Sequence, residues 1–388
     1  MARGISPFAA ALFLASQAML QPHAVRAASF RALGRPQPVF SAPEDSCEKI
    51  DIPDTSARAF RDDRNIVHLM ATHYVAREGL GTSLDNVAHQ CDVVYRSGQD
   101  GKPEDFNDDN WLASFFTVDG RTVAALVHSE YHGWAHPGMC TRRGQTHEAG
   151  QCWRNTITFA QSHDGGYHFS ELAAPANFVA GAPFPYDRGT ITGAVGYYAP
   201  ANIVSARGYY YAMINAWHNQ VQRSGSCLIR TRNLFDPKSW RAWDGQGFNV
   251  SFVNPFISVV AEPLTAHVCA TVYGGAVESL TYDPASGEFI ATEMPKDKRY
   301  GAPGAYSSAS TDLIHWGRPK LIISDESLSA LGTPGKWQYE YSSILDPTSP
   351  DRNFTTISAS PYLYYVRLAS GGSSYVRTLF RIRLQAND

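Results

Sequence analysis

Ala59-Phe60-Arg61, a turn at Asp62-Asp63-Arg64-Asn65, and Ile66-Val67-His68-Leu69-Met70-Ala71 read as a short strand, a tight reversal and a second strand rich in aliphatic residues. The same pattern returns four times. It runs through Ser114-Phe115-Phe116, the Asp119-Gly120 turn and Thr122 to Val127, then through Asn202-Ile203-Val204, a turn ending at Gly208 and Tyr209 to Ile214. The fourth copy is Ser279-Leu280-Thr281, a turn through Pro284 and Gly287, and Glu288 to Ala291; the fifth is Ser343-Ile344-Leu345 and, after a longer excursion, Tyr362 to Val366. Between copies a second hairpin is read, with strands at 92–97, 156–162, 227–231 and 306–310. Two hairpins in series make a four-stranded antiparallel sheet, and such sheets arranged radially shield one another's edges. The expected fold is therefore all-β: one five-bladed β-propeller, four antiparallel strands per blade, spanning residues 51–388.

The turns support this. In Ser162-His163-Asp164-Gly165-Gly166-Tyr167-His168-Phe169 the Asp164 carboxylate can bond N–H groups of its own turn, the glycines permit positive φ, and Phe169 can seal the hairpin against the next sheet. Ser310-Thr311-Asp312-Leu313-Ile314-His315-Trp316 and Arg232 to Trp240 are related turns. A calcium loop at Asp164 lacks the further carboxylates it would need. Composition agrees with strands and turns: aromatics make up 12%, charged residues only 18%, and 31 Gly and 23 Pro punctuate the chain, which excludes disorder and helical arrays. A net charge of −3 gives no reason to expect nucleic acid as a partner.

Arg3, the apolar run Phe8 to Ala15 and the small-residue exit at Val25-Arg26-Ala27 read as a signal peptide over 1–27, followed by an N-terminal extension over 28–50. The apolar run is short of the roughly 20 residues that span a bilayer, so no membrane partner is expected after cleavage, and the mature protein is expected to be secreted or periplasmic. Six cysteines, without the close paired spacing of a zinc site, then read as disulfides. Cys140 and Cys152 bracket a polar loop and are expected to pair, whereas the spacing leaves Cys47, Cys91, Cys227 and Cys269 open.

In a propeller, the start of each innermost strand and the end of its neighbour fall on one face, and the turn joining them on the other. Asp62, Asp63, Asp119 and Asp283 are thereby assigned to solvated turns. The other face collects Asp54 and Arg58, His73, Glu130-Tyr131-His132 with Trp134 and His136, Asn202, Asn215, Trp217 and His218, Glu278, and Glu340-Tyr341. Carboxylates, hydrogen-bonding side chains and aromatic rings on one face are what a sugar requires. Ion pairing between blades is the competing reading for any one carboxylate. His128, His132 and His136 would share a helix face, but Gly133, Pro137 and Gly138 oppose a helix, so no metal site or cofactor is expected.

The five copies, the Ser310 to Trp316 turn, and Pro53-Asp54 followed by Ala59-Phe60-Arg61-Asp62 resemble the five-bladed propeller glycoside hydrolases, the superfamily of arabinanases, xylosidases and invertases. More closely, the chain resembles secreted bacterial propeller proteins of uncertain activity. The Ser162 to Phe169 turn is similar to the Asp box of sialidases. The resemblance implies a glycosidase acting on a polysaccharide or glycoconjugate, with Asp54 as base or nucleophile and Glu130 or Glu278 as acid. From their place on the polar face, carbohydrate contacts are expected from Arg58, His73, Tyr131, His132, Trp134, Asn202, Trp217, His218, Glu340 and Tyr341. The chain departs from the pattern at Ala199-Pro200-Ala201-Asn202, where those enzymes often carry a carboxylate. The alternative is a non-catalytic glycan-binding propeller.

Overall fold

The computed structural model describes residues 1, 29–141, 152–188, 193–332, 335–358, 360–370 and 375–387; the expected signal peptide, beyond Met1, lies outside the described residues. The first strand among the described residues, β1 (Phe30–Ala42), lies on the edge of the last blade. Blade one is β2 (Arg58–Arg61), β3 (Val67–Met70), β5 (Gly79–Gly81) and β6 (Ala88–His89), while the intervening β4 (Val75–Ala76) pairs with β7 (Tyr95–Arg96). Blade two is β8 (Asp109–Thr117), β9 (Val123–His132) and β10 (Trp153–Ser162), edged by β11 (Ser170–Glu171) and β12 (Phe178–Ala180). Blade three contains β13 (Ala194–Tyr198), β14 (Val204–Ala206), β15 (Tyr209–Ala216) and β16 (Gly225–Thr231), edged by β17 (Arg241–Ala242) and β18 (Thr271–Tyr273). Blade four is β19 (Ser279–Asp283), β20 (Glu288–Glu293), β21 (Gly304–Ser310) and β22 (Lys320–Ser324), followed by the short α1 (Asp325–Leu331). Blade five is β23 (Trp337–Leu345), β24 (Tyr362–Ala369), β25 (Arg377–Ala386) and β1. The chain is an all-β five-bladed propeller.

The period of two along each strand builds the core. Val123, Ala125 and Val127 of β9 join Phe60 and Met70 between blades one and two, while Ala124 and Leu126 face the other way onto Ile203, Ala212 and Ile214 of blade three. Met213 and Leu228 meet Leu280 and Ala291 between blades three and four. Ile290 and Ala305 meet Ile344 and Leu363 between four and five. Leu345 and Val366 meet Val67 and Leu69 to close the circle between five and one. Five hydrophobic clusters thus fill the five gaps, so each blade is buried on both faces and depends on both neighbours.

Three details differ from the sequence reading. The strand expected at 92–97 is not in blade one's sheet. Its third and fourth strands are β5 and β6, and Tyr95–Arg96 pairs with Val75–Ala76 instead. Gly81 hides β5 from an apolar pattern because the backbone approaches Asn86 there, where a Cβ would meet its carbonyl oxygen at 2.7 Å. Blades two and three are not separate sheets, since β13 pairs parallel with β10 and antiparallel with β15. Asp62 occupies the expected turn but is fully buried rather than solvated. Its Oδ1 accepts the Arg64 and Ile66 N–H groups at 2.9 and 2.7 Å, and Arg352 donates to its carbonyl at 2.6 Å.

The other turns are as read. Asp164 Oδ1 accepts the Ser162 hydroxyl at 2.8 Å and the His168 N–H at 3.0 Å. Gly166, at φ +110°, lies against Phe60, whose ring a Cβ would reach at 2.5 Å. Asp312 accepts the Ile314 and His315 N–H groups at 2.9 and 2.8 Å. Partial burial opposes its charge, but His315 and these donors prevail and hold its carboxyl down at about 2. Cys140 pairs with Cys152, Cys47 with Cys91 and Cys227 with Cys269.

Candidate functional site

The innermost strands converge on a narrow channel lined by Ala57, Arg58, Phe115, Asn202, Ser279 and Ser343. Arg58 plugs it. Its guanidinium donates to the carbonyls of Ala113 at 3.1 Å, Pro200 at 3.4 Å and Glu278 at 2.6 Å, tying blades two, three and four to blade one. Burial lowers its pKa to about 9, with Glu278 opposing the fall. Asn202 is likewise spent on backbone, donating to the Leu280 carbonyl at 2.6 Å and accepting its N–H at 2.7 Å. Both sequence-predicted contacts therefore stitch blades together within the ring.

Above the plug lies a rim of carboxylates. Asp54, in the loop before β2, is contacted by the Arg377 guanidinium at the head of β25. It also accepts the Tyr341 hydroxyl at 3.0 Å and the Trp111 indole N–H at 3.2 Å, with His73 Nε2 at 3.6 Å. Burial lowers the His73 pKa despite Asp54. Glu278, just before β19, accepts the Ser342 N–H at 2.6 Å, the Ser342 hydroxyl at 2.5 Å and the Tyr341 N–H at 3.3 Å. Desolvation outweighs these donors and, with Glu340 adding its charge, pushes the Glu278 carboxyl up to about 7. Glu340 itself pairs with Lys296 at 2.5 Å. Asp54 and Glu278 thus share one residue of blade five, Tyr341, whose hydroxyl serves the first and whose N–H serves the second.

Glu130 is held differently. On β9, His128, Glu130 and His132 share a face by strand alternation, and Glu130 sits 2.8 Å from His132 Nε2 and 3.3 Å from His128 Nε2. His132 Nδ1 lies 3.0 Å from Asp109. Burial disfavours the His132 charge, yet bonds to Asp109 and Glu130 overcome it and raise its pKa to about 9. Tyr131, between them in sequence, points to the opposite side, where its hydroxyl donates to the Gly101 carbonyl at 2.8 Å and its ring meets Tyr186.

Aromatic rings continue the rim in an arc. From Trp111 it passes to His128 (5.9 Å between ring centres), Tyr198 (6.2 Å) and Trp217, stacked on Tyr198 at 4.5 Å. It then runs to Trp153 (6.5 Å) and Trp134 (5.9 Å), which stacks on His132 at 4.5 Å. His218 is exposed beside Trp217.

The structure therefore gathers Asp54, Glu130, Glu278, His73, His132, Trp134, Trp217, Glu340 and Tyr341, and it adds Arg377, Trp111, Asp109, His128, Tyr198, Trp153 and Ser342. Asp109 heads an inner strand, so the positional rule applied from the true start of β8 would have found it. Arg377 heads an outer strand and carries no such signal.

Two groups among the described residues have the composition of metal ligands. Cys47, Asp51 and His89 lack a thiolate, since Cys47 is in a disulfide. Asp108, Asp109 and His132 offer atoms within 4.8 Å of one another. Asp108 already accepts the His132 N–H at 2.8 Å, and both ring nitrogens of His132 face carboxylates. His136 lies 2.9 Å from Asp108.

No protein-family model matches the chain, and no curated protein matches it in sequence. Among solved structures it is similar to a glycosyl hydrolase from Bacteroides ovatus at 10% identity, covering 92% of this chain and 93% of that one with a TM-score of 0.45. It is also similar to an α-L-arabinanase of Cellvibrio cellulosa complexed with arabinohexaose, at 11% identity over 88% and 96% of the two chains, TM-score 0.45. A third is a β-fructofuranosidase of Bombyx mori in complex with sucrose, at 14% identity over 87% of this chain and 64% of that one, TM-score 0.45. At identities this low the likeness is one of fold, and the reading of the site rests on its own atoms.

Proposed function

We propose that the rim is the active site of a glycoside hydrolase acting on a polysaccharide or glycoconjugate, with Glu278 as general acid and Asp54 as base or nucleophile. The observation that carries this is the contrast between two carboxyls served by one pair of blade-five residues. Glu278 is pushed up to about 7 and retains a proton near neutrality, as protonation of a leaving oxygen demands. Asp54 receives a guanidinium and two further donors, an environment suited to an anion that activates water or attacks the anomeric carbon. Glu130, held by His128 and His132, is better suited to orienting hydroxyls than to giving up a proton. The aromatic arc supplies faces for sugar rings. Three disulfides fit an exported protein, and among the described residues no helix is long and apolar enough to cross a membrane.

One observation favours a glycan-binding propeller without hydrolysis: the Arg377 contact that pairs with Asp54 also restrains it. Assay of the purified protein against a panel of polysaccharides and aryl glycosides separates the two. Released sugar that disappears in Glu278→Gln supports hydrolysis. Retention of a glycan with no release across the panel supports binding alone.

A further inference from the structure

The pairing of β23 with β24 loses register between Glu340 and Ser343, and inside this break Tyr341 has φ +63°. A bulky aromatic residue rarely adopts left-handed backbone, and it persists only where surrounding contacts hold it. Here those contacts lead to the two carboxyls. The N–H groups of Tyr341 and Ser342 donate to Glu278 Oε1 and Oε2 at 3.3 and 2.6 Å, and the Ser342 hydroxyl adds a bond at 2.5 Å beside Thr292 Oγ1 at 3.0 Å. The Tyr341 side chain meanwhile carries its hydroxyl to Asp54 Oδ1 at 3.0 Å. In an unbroken strand these two consecutive side chains would point to opposite faces of the sheet. The bulge lets adjacent residues serve one rim.

We propose that the Tyr341–Ser342 bulge is a positioning element that fixes Asp54 and Glu278 relative to each other, Tyr341 serving the first and Ser342 the second. This rests on the rim being the active site, and the role assigned to the bulge acts through the two carboxyls. The remaining charged and titratable groups lie on other elements, apart from Glu340 beside the bulge on β23. Asp54 also faces Arg377 and His73, with Asp109 and Glu130 acting on His73 from blade two. Glu278 is accompanied by Arg58, Glu340 and Tyr198, with Lys296 on Glu340. Burial and Asp54 keep the Tyr341 hydroxyl protonated, its pKa raised well above the ordinary value, so it remains a donor.

The test is the pH profile of kcat/KM in Tyr341→Phe and Ser342→Ala, together with carbon-13 titration of both carboxyls in substrate-free protein and the melting temperature of each variant. A lost donor to an ionised carboxylate raises its pKa. Tyr341→Phe should shift the acid limb upward by about one pH unit and leave the alkaline limb in place. Ser342→Ala should shift the alkaline limb upward by less, because the backbone donors to Glu278 remain. Unmoved limbs and unmoved carboxyl titrations in both folded variants would overturn the positioning role while leaving the active-site reading intact. Should no glycoside be hydrolysed, that reading falls, and the carboxyl titrations alone decide the bulge: Asp54 moving in Tyr341→Phe and Glu278 in Ser342→Ala supports it, and neither moving refutes it.

Discussion

Asp164 in blade two and Asp54 ahead of blade one are both aspartates met by several donors, but the donors come from different distances. Those of Asp164 are Ser162 and His168, two and four positions away. Those of Asp54 are Trp111, Tyr341 and Arg377, separated from it by 57, 287 and 323 positions. Asp312 repeats the first arrangement with Ile314 and His315, and Glu278 repeats the second with Ser342. A carboxylate closed by its own turn can form as soon as that turn does. A carboxylate on the rim acquires its environment only when the ring is complete. The first kind should govern local stability, and the second is available for chemistry.

The sharpest way to break this comparison is to exchange the consequences. Asp54→Asn and Glu278→Gln should each reduce turnover by on the order of 10²- to 10⁴-fold, while Asp164→Ala leaves turnover of folded protein near normal. An equal loss in Asp164→Ala would erase the distinction. Glu278 adds a stability signature, since a carboxyl raised to about 7 costs the fold stability as pH climbs from the unfolded value of 4.5 through 7. In Glu278→Gln that decline should flatten, as denaturant midpoints across the range will show.

His132 also loses stability as pH rises, but in a higher window and by giving up a favourable charge instead of gaining a buried one. Its pKa is raised to about 9, so the stability it contributes is fully present below 6.5 and lost as pH rises through 9. The contribution is on the order of 1 to 3 kcal/mol, and in His132→Gln the stability difference from wild type should shrink between pH 6.5 and 9. A constant difference would mean that the imidazole is not charged by Asp109 and Glu130. Smaller still is Asp312→Ala, expected to cost about 1 kcal/mol at neutral pH. With its carboxyl held at about 2, that cost should persist above pH 3.8 and fade as pH falls through 2. The least effect belongs to Asp119→Ala, where an exposed turn loses bonds to the Arg121 and Thr122 N–H groups. There the melting temperature should barely move, and a drop matching Asp312→Ala would show that exposure does not rank these turns.

The same distinction explains what the sequence disclosed. The turns around Asp119, Asp164 and Asp312 are legible because donor and acceptor lie within a few residues. The inner hairpins were legible through their alternation. On the rim, Asp54, Glu130 and Glu278 could be named because each sits at a strand end, but their partners could not: nothing near Arg377 in sequence points to residue 54. Adjacency groups Tyr131 with Glu130, although consecutive strand residues face opposite ways. Asp62 read as solvated because its cover comes from Arg352. Glycines at 79 and 81 concealed the third strand of blade one, and Pro36 and Pro38 concealed β1, where an edge strand with register shifts tolerates them.

That edge strand has a consequence for how the molecule comes to exist. Among the described residues β1 pairs only with β25, from Phe30 opposite Ala386 to Ala42 opposite Arg377, and the Asn387 N–H donates to the Ser29 carbonyl at 2.8 Å. During synthesis this strand must wait for its partner, with Phe30 uncovered until blades four and five have emerged, although Phe40 can meet His89 of blade one earlier. Once clasped, the ring has no privileged seam. A permuted chain that joins residue 387 to residue 29 by a short linker and opens at the exposed Asp244–Gly247 turn should therefore fold to the same propeller, whereas deleting residues 29–42 should leave the last blade unable to close.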